Sequence, residues 1–273
     1  MNPEEYERMH ALETSYWWFV GRRALVAHVL EATLARRKNA SASALRLLDI
    51  GCGTGANLPV LREKLGDSGQ LFGMDFSPLA LQFARGVLEV ENSSARAPIR
   101  LLQGDAQELP LRENSFDVVT MMDVLEHLRD DDRALREVWR VLRPGGALIL
   151  TVPAYQHLWS AHDEALHHFR RYEKAGLHAV LKAADFEIWR LSFAMSLMPP
   201  IAWAWRKILL PFAPKRPKNA QRHSQGAVLP TVPAWANDFL VRYVALEGKI
   251  LLRRPLKFGT TLVAVVFKPL TNG

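Results

Sequence analysis

The sequence is poor in cysteine and does not begin with an apolar signal. Its 273 residues include a single cysteine, Cys52, which excludes an internal disulfide framework. The first residues, MNPEEYER, are acidic and lack the apolar core of a secretion signal, so we expect a cytoplasmic protein. A chain of this length can bury a large core, and we therefore predict one α/β domain of ordinary size with an added segment.

Positive charge is concentrated in one segment. The formal net charge is +7, but residues 196–258 hold eleven lysines and arginines against two acids, so the rest of the chain is slightly acidic. Prolines and the pair Arg206-Lys207 interrupt the apolar part of this segment before it reaches the roughly twenty residues that a membrane span requires. Trp203 and Trp205 beside these cations favour contact with the headgroup zone of a bilayer. A helical lid packed on the core is the alternative.

Residues 45–61, LRLLDIGCGTGANLPVL, are the most informative part of the chain. A short apolar run ends at Asp49 and leads, through a turn, into a predicted helix. The turn contains three alternating glycines: Gly51, Gly53 and Gly55. Glycines let the backbone bend where side chains would clash, so a ligand can lie against bare main chain beside a helix N-terminus. The third glycine comes one residue too early for the dinucleotide pattern G-x-G-x-x-G, which disfavours an NAD-dependent oxidoreductase.

Further motifs follow at the spacing of alternating strands and helices. The segment LFGMDFS, residues 71–77, predicts a second strand that ends at Asp75, where a carboxylate can accept hydrogen bonds from ribose hydroxyls. The later segments are LLQGDA at 101–106, SFDVVTMMDVLEHL at 115–128, a strand at 147–153 after a Pro-Gly-Gly helix stop, a helix at 174–184, a strand at 186–194, a helix at about 234–252 and a strand near 260–267. This alternation predicts a parallel sheet with both faces covered.

This order of motifs resembles the class I S-adenosylmethionine-dependent methyltransferases, in particular the bacterial small-molecule, type 11-like branch. The resemblance implies an α/β fold with a Rossmann-like, doubly wound sheet of seven strands and an antiparallel strand 7. It also implies an N-terminal helix and a helical insertion between strands 6 and 7. We therefore predict an N-terminal helical cap at 1–44, a cofactor-binding core at 45–195 plus 259–273, and a basic, apolar helical insertion at 196–258.

The resemblance implies S-adenosylmethionine as the cofactor and assigns residues to its parts. Asp49 and the glycine turn would hold the amino acid end, and Asp75 would hold the ribose. Because Asp49 lies in an apolar run, we expect it to accept hydrogen bonds from N–H groups of the glycine turn. The complete predicted cofactor set is Asp49, Gly51, Gly53, Gly55, Asp75, Phe76, Asp105, Ala106, Met122, Asp123, Tyr16 and Trp18.

Four consecutive rings precede the core and are followed by two arginines. The segment from Tyr16 to Arg23, with the pattern W-W-F-x-G-R-R, is similar to one in bacterial members of the family, in which the N-terminal helix closes over the cofactor. Four large consecutive rings cannot all face one way, so we expect some to close the pocket and the others to pack into the core. An aromatic, water-poor pocket suits a positively charged sulfur.

Histidines and arginines cluster after the fifth strand. His157, His167 and His168 are the candidate catalytic residues, because histidine titrates near neutrality and can take a proton from a hydroxyl. Loops after the carboxyl ends of strands are also where such sheets hold their sites. The alternative is structural, with Arg170 and Arg171 paired to Asp163 or Glu164 and the histidines exposed to solvent.

The motif from Asp123 to His127, DVLEH, resembles one in quinone-ring O-methyltransferases that recruit a divalent cation. Its spacing is a poor metal code, and a helix start explains its acids, so we predict no metal.

These observations predict a methyltransferase that acts on a small or lipid-linked acceptor at oxygen. The loop at 155–172 and the insertion at 196–258 would form the acceptor site, and the insertion would provide peripheral membrane contact. The alternative is a nucleic-acid-binding methyltransferase, or a binding module that kept the fold and lost activity, since basic proteins attract polyanions. The basic segment lacks a base-reading motif, which disfavours nucleic acid. The sequence leaves the acceptor and the oligomeric state open.

Overall fold

A seven-stranded sheet forms the centre of the protein. The computed structural model describes residues 3–37, 44–91, 98–198 and 231–270, and its strands lie in the order β3-β2-β1-β4-β5-β7-β6. The strands are β1 (Arg46–Ile50), β2 (Gln70–Asp75), β3 (Arg100–Gln103), β4 (Phe116–Met122), β5 (Leu142–Pro153), β6 (Glu187–Ala194) and β7 (Thr261–Phe267). β7 runs antiparallel to β5 and β6, whereas β1 to β5 pair in parallel. The predicted Rossmann-like fold with an antiparallel seventh strand is confirmed.

Helices cover both faces of the sheet. They are α1 (Pro3–Leu12), α2 (Trp17–Arg36), α3 (Leu58–Leu65), α4 (Pro78–Glu91), α5 (Asp131–Val141), α6 (Ala161–Ala165), α7 (Lys174–Ala183) and α8 (Ala234–Arg253). Single turns of 3₁₀ helix lie at Leu125–His127 and Gln156–Leu158. The N-terminal region that the sequence predicted as helical is thus two helices, joined by a turn in which the N–H of Tyr16 donates to the carbonyl of Leu12.

The strand β5 begins five residues earlier than predicted. The Pro-Gly-Gly segment was expected to stop the preceding helix, but α5 already ends at Val141 and the segment belongs to the strand. It is held there because the N–H of Gly145 donates to the carbonyl of Lys268, and the N–H of Lys268 donates to the carbonyl of Gly146, each at 2.9 Å.

The central strands β1, β4 and β7 are buried on both faces, as expected for a covered sheet. Every residue of β4 is buried. Its side chains alternate between two apolar clusters, with Val119 and Met121 in one and Val118 and Met122 in the other. This layering fixes the carboxyl ends of β1, β2 and β4 at one edge of the sheet.

Helix α8, predicted at 234–252, packs closely on α2. Gly21 faces Val244, and Gly248 faces Leu25, where an added Cβ would lie 3.0 Å from the Leu25 Cα. Residues 199–230 of the predicted insertion, including Trp203 and Trp205, lie outside the described residues. Among the described helices, none combines the length and apolar character needed to cross a membrane.

Candidate active site

A cavity of about 720 Å³ lies at the carboxyl ends of β1, β2 and β4, beneath α1 and α2. In the strand order, β1 and β4 are neighbours, and this is the point at which α/β sheets of this kind place their ligands. The predicted site residues that line the cavity are Gly51, Gly53, Asp75, Phe76, Asp105, Ala106, Met122, Asp123, Tyr16, Trp18, His167 and His168. Three others, Asp49, Gly55 and His157, do not line it.

The glycine turn after β1 has a backbone that other residues rarely adopt. Gly51, Gly53 and Gly55 have φ values of 68°, 56° and 85°. A Cβ on Gly51 would lie 2.4 Å from Cγ2 of Val124, so the loops that follow β1 and β4 touch at this residue. Gly55 instead faces Ala84 of α4. A Cβ on Gly55 would lie 3.0 Å from the Cα of Ala84, so glycine at this position allows the turn to pack closely against α4.

Asp75, the last residue of β2, stabilises the glycine turn by hydrogen bonding. Its Oδ2 accepts a hydrogen bond from the N–H of Gly53 at 2.9 Å, and its Oδ1 accepts one from the N–H of Ser77 at 2.8 Å. Burial raises the pKa of this carboxyl. A carboxylate that already orders the glycine loop therefore faces the cavity.

Asp49 does not make the contacts that we expected. Its Oδ1 accepts a hydrogen bond from the Thr120 hydroxyl at 2.6 Å, and its Oδ2 has no hydrogen-bond partner among the described residues. The expectation that it accepts from the glycine turn is wrong, because Asp75 accepts the N–H of Gly53. Burial raises the pKa of Asp49 to about 7.

The next cavity loop is ordered by Asp105. Its Oδ1 accepts a hydrogen bond from the N–H of Gln107 at 2.8 Å, which closes a local turn and leaves Ala106 buried against the cavity wall. Cys52 is also buried, and burial raises the pKa of its thiol, so the cysteine is held as the unreactive thiol.

The aromatic segment of α2 forms the roof of the cavity. All four rings from Tyr16 to Phe19 line it. The guanidinium of Arg22 lies 4.2 Å from the centre of the Trp18 ring and forms an ion pair with Asp123. Burial lowers the pKa of Arg22 to about 10. Helix α2 is thereby tied to the loop after β4.

Helix α1 is tied to the glycine turn in the same way. The side chain of Glu13, which follows this helix, is buried and accepts a hydrogen bond from the hydroxyl of Thr54. The Sδ-bearing side chain of Met9 reaches the turn as well, since its Cε would lie 3.7 Å from a Cβ on Gly53. Both N-terminal helices therefore contact the loops that the sequence assigned to the cofactor.

A buried acid that the sequence did not single out as a site residue orients the histidine loop. The side chain of Asp163 is fully buried, and its Oδ1 lies 2.9 Å from Nδ1 of His168. Arg171 donates to both carboxylate oxygens, which confirms the predicted pairing, while Arg170 pairs with Asp131 instead. Burial alone would raise the pKa of Asp163, but the hydrogen bonds from Arg171 and His168 lower it to about 2.

The second residue outside the predicted site set is Glu126, which the sequence analysis considered only as part of the motif DVLEH. It is fully buried on the cavity wall, and neither of its carboxylate oxygens has a hydrogen-bond partner in the part of the chain that the structure describes. Burial raises its pKa to about 8 and lowers the pKa of neighbouring His127 to about 3. The predicted helix start at this motif is a 3₁₀ turn, and its first acid, Asp123, lies before that turn with a φ of 53°.

These side chains form a polar wall, by which we mean Glu126, His127 and His168. The two imidazole rings meet edge to face, with centroids 4.6 Å apart. One carboxylate oxygen and one nitrogen from each ring lie within 4.8 Å of one another. Such a set can bind a hydroxyl or a cation. His157 lies elsewhere and packs against the Tyr155 ring at 5.1 Å.

Comparisons with known proteins show which proteins this chain resembles. Residues 48–150 match a family model described as a methyltransferase domain. Together with the sheet order, this match makes the segment a class I methyltransferase domain. Demethylmenaquinone methyltransferase from Lactococcus lactis is 36% identical over 135 residues, which cover 47% of this chain and 52% of that protein. The chain spans about half the length of the curated relatives that it matches.

Solved structures share the fold over most of the chain. One is a chain from the Haloferax volcanii complex between the Trm112 methyltransferase activator and a methyltransferase, with a TM-score of 0.58 and 21% identity over 99% of this chain and 98% of that one. Another is Haemonchus contortus phosphoethanolamine N-methyltransferase 2 in complex with S-adenosyl-L-methionine, with a TM-score of 0.55 and 20% identity over 88% of this chain and 52% of that one. At these identities the likeness establishes the fold.

Proposed function

We propose that this protein is an S-adenosylmethionine-dependent methyltransferase that methylates an oxygen atom of a small or lipid-linked acceptor. One observation carries the proposal. A single cavity joins a glycine turn ordered by Asp75, a roof of aromatic rings and the polar wall.

The cofactor half of the cavity fits S-adenosylmethionine. The turn at Gly51 and Gly53 exposes main chain without side chains to the cavity. A Cβ on Gly51 would collide with the Val124 side chain, so the turn needs glycine at this position. Asp75 and Asp105 line the cavity, and in this proposal Asp75 would bind the ribose hydroxyls and Asp105 the adenine edge. When bound, S-adenosylmethionine supplies a methyl group on a positively charged sulfur, and the rings of Tyr16 and Trp18 would surround that charge with an aromatic wall.

The polar wall would hold the acceptor. Direct displacement at a methyl carbon requires only that the acceptor oxygen be aligned and made nucleophilic. His168, whose Nδ1 is fixed by Asp163, directs its other nitrogen away from that carboxylate, and Glu126 supplies a second acceptor for a hydroxyl proton. His167 lines the same cavity, so it remains a proposed acceptor-side residue. His157 does not line it and has no part in the proposed chemistry.

The relatives support an acceptor with a ring or a lipid tail. These relatives are named demethylmenaquinone methyltransferases, and the aromatic rings of this cavity suit an apolar ring of an acceptor. The family resemblance covers the cofactor half, so the acceptor class rests on the cavity lining and these names. Incubating the protein with methyl-labelled S-adenosylmethionine and a lipid extract, followed by mass spectrometry of labelled products, identifies the acceptor.

Calorimetry tests the cofactor assignment. We expect one equivalent of S-adenosylmethionine or of its demethylated product to bind, and NAD not to bind. Asp75→Asn should weaken this binding at least about tenfold, since it removes a charge-assisted contact worth about 1.5–3 kcal/mol. Asp67→Asn, an exposed acid beyond α3, is the matched control and should leave it unchanged. Folded protein that binds neither compound would overturn the proposal.

We also propose that α8 contacts an anionic membrane surface. Its exposed face carries four large apolar side chains: Trp235, Phe239, Leu246 and Ile250. Three basic residues of α8 are also exposed: Arg242, Lys249 and Arg253. They lie on the same face as the apolar side chains, because residues three, four, seven or eleven apart share one side of a helix. Aromatic residues next to cations suit the headgroup zone of anionic lipid.

Vesicle flotation tests this contact. The protein should float with phosphatidylglycerol vesicles and less with phosphatidylcholine vesicles, and Trp235→Ser/Phe239→Ser should reduce flotation. The control Glu164→Ser changes an exposed residue on α6 and should have no effect. Equal flotation of the wild type and the double variant would remove the proposal, and a change in oligomeric state in that variant would identify a second copy as the partner of this face.

A further inference from the structure

We infer that the amino edge of the sheet binds an anion with two linked phosphoryl groups, through Arg46, Arg100 and Arg143. This edge lies opposite the candidate active site, which is formed at the carboxyl ends of the strands. Arg46 and Arg100 are the first residues of β1 and β3, and Arg143 is the second residue of β5. The inference adds a second ligand site to the protein and does not depend on the proposed methyltransferase activity.

A buried carboxylate, that of Asp117 near the start of β4, lies among these arginines. Its Oδ1 accepts a hydrogen bond from Nη2 of Arg37 at 2.7 Å. Its Oδ2 accepts one from Nη1 of Arg143 and one from the N–H of Arg46, each at 2.8 Å. The Arg37 and Asp117 side chains are only 5% and 4% exposed, so they form a buried ion pair. One carboxylate balances one guanidinium, and the charges of the other arginines remain in excess.

Hydrogen-bond donors also exceed acceptors around Asp117. Nε and Nη1 of Arg37 and Nε of Arg46 are buried and have no hydrogen-bond partner in the described ranges. Burying polar groups without partners is unfavourable, and more so when the group is charged. An anion beside Arg46 would supply an acceptor to its Nε, and the negative charge would also stabilise the guanidinium of Arg37.

Aromatic rings hold two of the three proposed ligand-binding arginines in place. Cζ of Arg46 lies 5.2 Å from the centre of the Phe72 ring and 5.0 Å from the centre of the Phe116 ring. Cζ of Arg100 lies 5.5 Å from the centre of the same Phe72 ring. A cation is attracted to the face of a ring without using its N–H groups. The rings therefore position the two charges and leave their N–H donors available to a ligand.

The guanidinium groups lie close enough to repel one another, and they are accessible to solvent. Burial lowers the pKa of Arg46, the charges of Arg143 and Arg100 lower it further, and the charge of Asp117 opposes this shift. Arg100 is exposed and the Arg143 side chain is 33% exposed, so a ligand can reach the cluster from solution. Like charges held together at fixed positions favour the binding of an anion.

The spacing of the arginines indicates the kind of anion. In the strand order, β3 and β5 each lie two strands away from β1, and neighbouring strands are about 4.8 Å apart. One phosphate is too small to contact arginines spread over this width, whereas two linked phosphoryl groups can contact neighbouring guanidinium groups. Arginine binds such oxygens with two parallel N–H donors. The site therefore suits inorganic pyrophosphate, or the diphosphate group of a larger soluble molecule, better than a single phosphate.

Calorimetry of the full chain with inorganic pyrophosphate tests the inference, at an ionic strength held constant with sodium chloride. One equivalent should bind, and inorganic phosphate should bind at least about tenfold more weakly. Arg46→Gln and Arg100→Gln should each weaken pyrophosphate binding at least about tenfold, because each removes a charge-assisted contact. Arg85→Gln, which replaces an exposed arginine of α4, is the matched control and should bind as the wild type does.

Three results would overturn the inference. The first is a wild-type protein that binds no pyrophosphate, and this result does not depend on any variant folding. The second is equal binding by Arg46→Gln, Arg100→Gln and Arg85→Gln, which would mean that the arginines only cover the aromatic rings. The third is competition between pyrophosphate and S-adenosylhomocysteine, which would place pyrophosphate in the cavity. Failure to bind S-adenosylmethionine would instead remove the proposed function and leave this site unaffected.

Discussion

Arg171 and Asp163 form a bidentate ion pair at the edge of the cavity. The Nε of Arg171 donates to Oδ1 at 2.7 Å, and its Nη2 donates to Oδ2 at 2.9 Å. The same carboxylate accepts from the N–H and hydroxyl of Ser160 and contacts Nδ1 of His168. One buried acid therefore starts α6, anchors the segment before Tyr172 and orients the ring on the polar wall.

Replacing Asp163 should destabilise the protein strongly. Asp163→Ala leaves the partly buried Arg171 guanidinium without its partner, and breaking such a pair costs about 3–5 kcal/mol of unfolding free energy. Urea unfolding measures the change. Glu164→Ala, its exposed neighbour, should stay within about 0.5 kcal/mol of the wild type. Equal effects of the two variants would show that the ion pair contributes little.

A side chain at Gly51 should damage both stability and cofactor binding. Gly51→Ala places a methyl group 2.4 Å from Val124 and forces a non-glycine residue to a φ of 68°, a strain of about 1–2 kcal/mol. Gly51→Ala/Val124→Ala should recover the part caused by the collision. Thermal unfolding and calorimetry with S-adenosylmethionine report the two effects.

The matched control for that variant is Gly86. This glycine lies within α4, and an added Cβ there would meet nothing within 4 Å. Gly86→Ala should therefore raise stability by about 0.5–1 kcal/mol and leave cofactor binding unchanged. Comparable losses in Gly51→Ala and Gly86→Ala would contradict the special role of the turn.

The titration of Asp49 should lower the free energy of unfolding as the pH rises. Burial raises its pKa from an ordinary value of 3.8 to about 7, so the unfolded chain releases the proton at lower pH than the folded chain does. Its stabilising contribution is complete below pH 3.8 and is lost as the pH rises through about 7, with a slope of at most about 1.4 kcal/mol per pH unit. Asp49→Asn should flatten urea-unfolding stability between pH 4 and 7.

The same variant has a second expected result at pH 8. Asp49→Asn removes a buried negative charge while keeping an acceptor for the Thr120 hydroxyl, so it should be more stable than the wild type there. Asp67→Asn, at an exposed position, should retain the wild-type slope. An unchanged slope in Asp49→Asn would mean that other groups cause the pH dependence.

Glu247 should be needed to attach α8 to the sheet. Its buried carboxylate accepts hydrogen bonds from the N–H groups of Met195 and Ser196, at 2.6 and 2.9 Å. Glu247→Leu leaves both donors unpaired, at about 1–3 kcal/mol each, whereas Glu247→Gln keeps one acceptor and should lose less. Chemical unfolding measures both, with Lys249→Gln on the exposed face as the neutral control. A leucine variant as stable as the glutamine variant would contradict this attachment.

The sequence predicted the residues of the cofactor half of the cavity because their backbone requirements are local. The turn at Gly51 and Gly53 needs positive φ values, and only glycine adopts these without strain, so the residue type itself marks the loop. Asp75 stands at the end of an apolar strand, where a carboxylate on the site side of the sheet follows from the strand direction. The sequence did not show which acid accepts the hydrogen bond from the N–H of Gly53, since Asp49 and Asp75 both end apolar runs.

The sequence by itself predicted the alternation of strands and helices and the glycine turn, because apolar periodicity and backbone sterics act over a few neighbouring residues. Tertiary structure alone decided the polar wall. Glu126 and His127 meet His168 across about forty residues only because β4 and β5 pair in parallel and deliver their following loops to one edge. No local spacing encodes that contact, since it depends on which strands become neighbours and in what register.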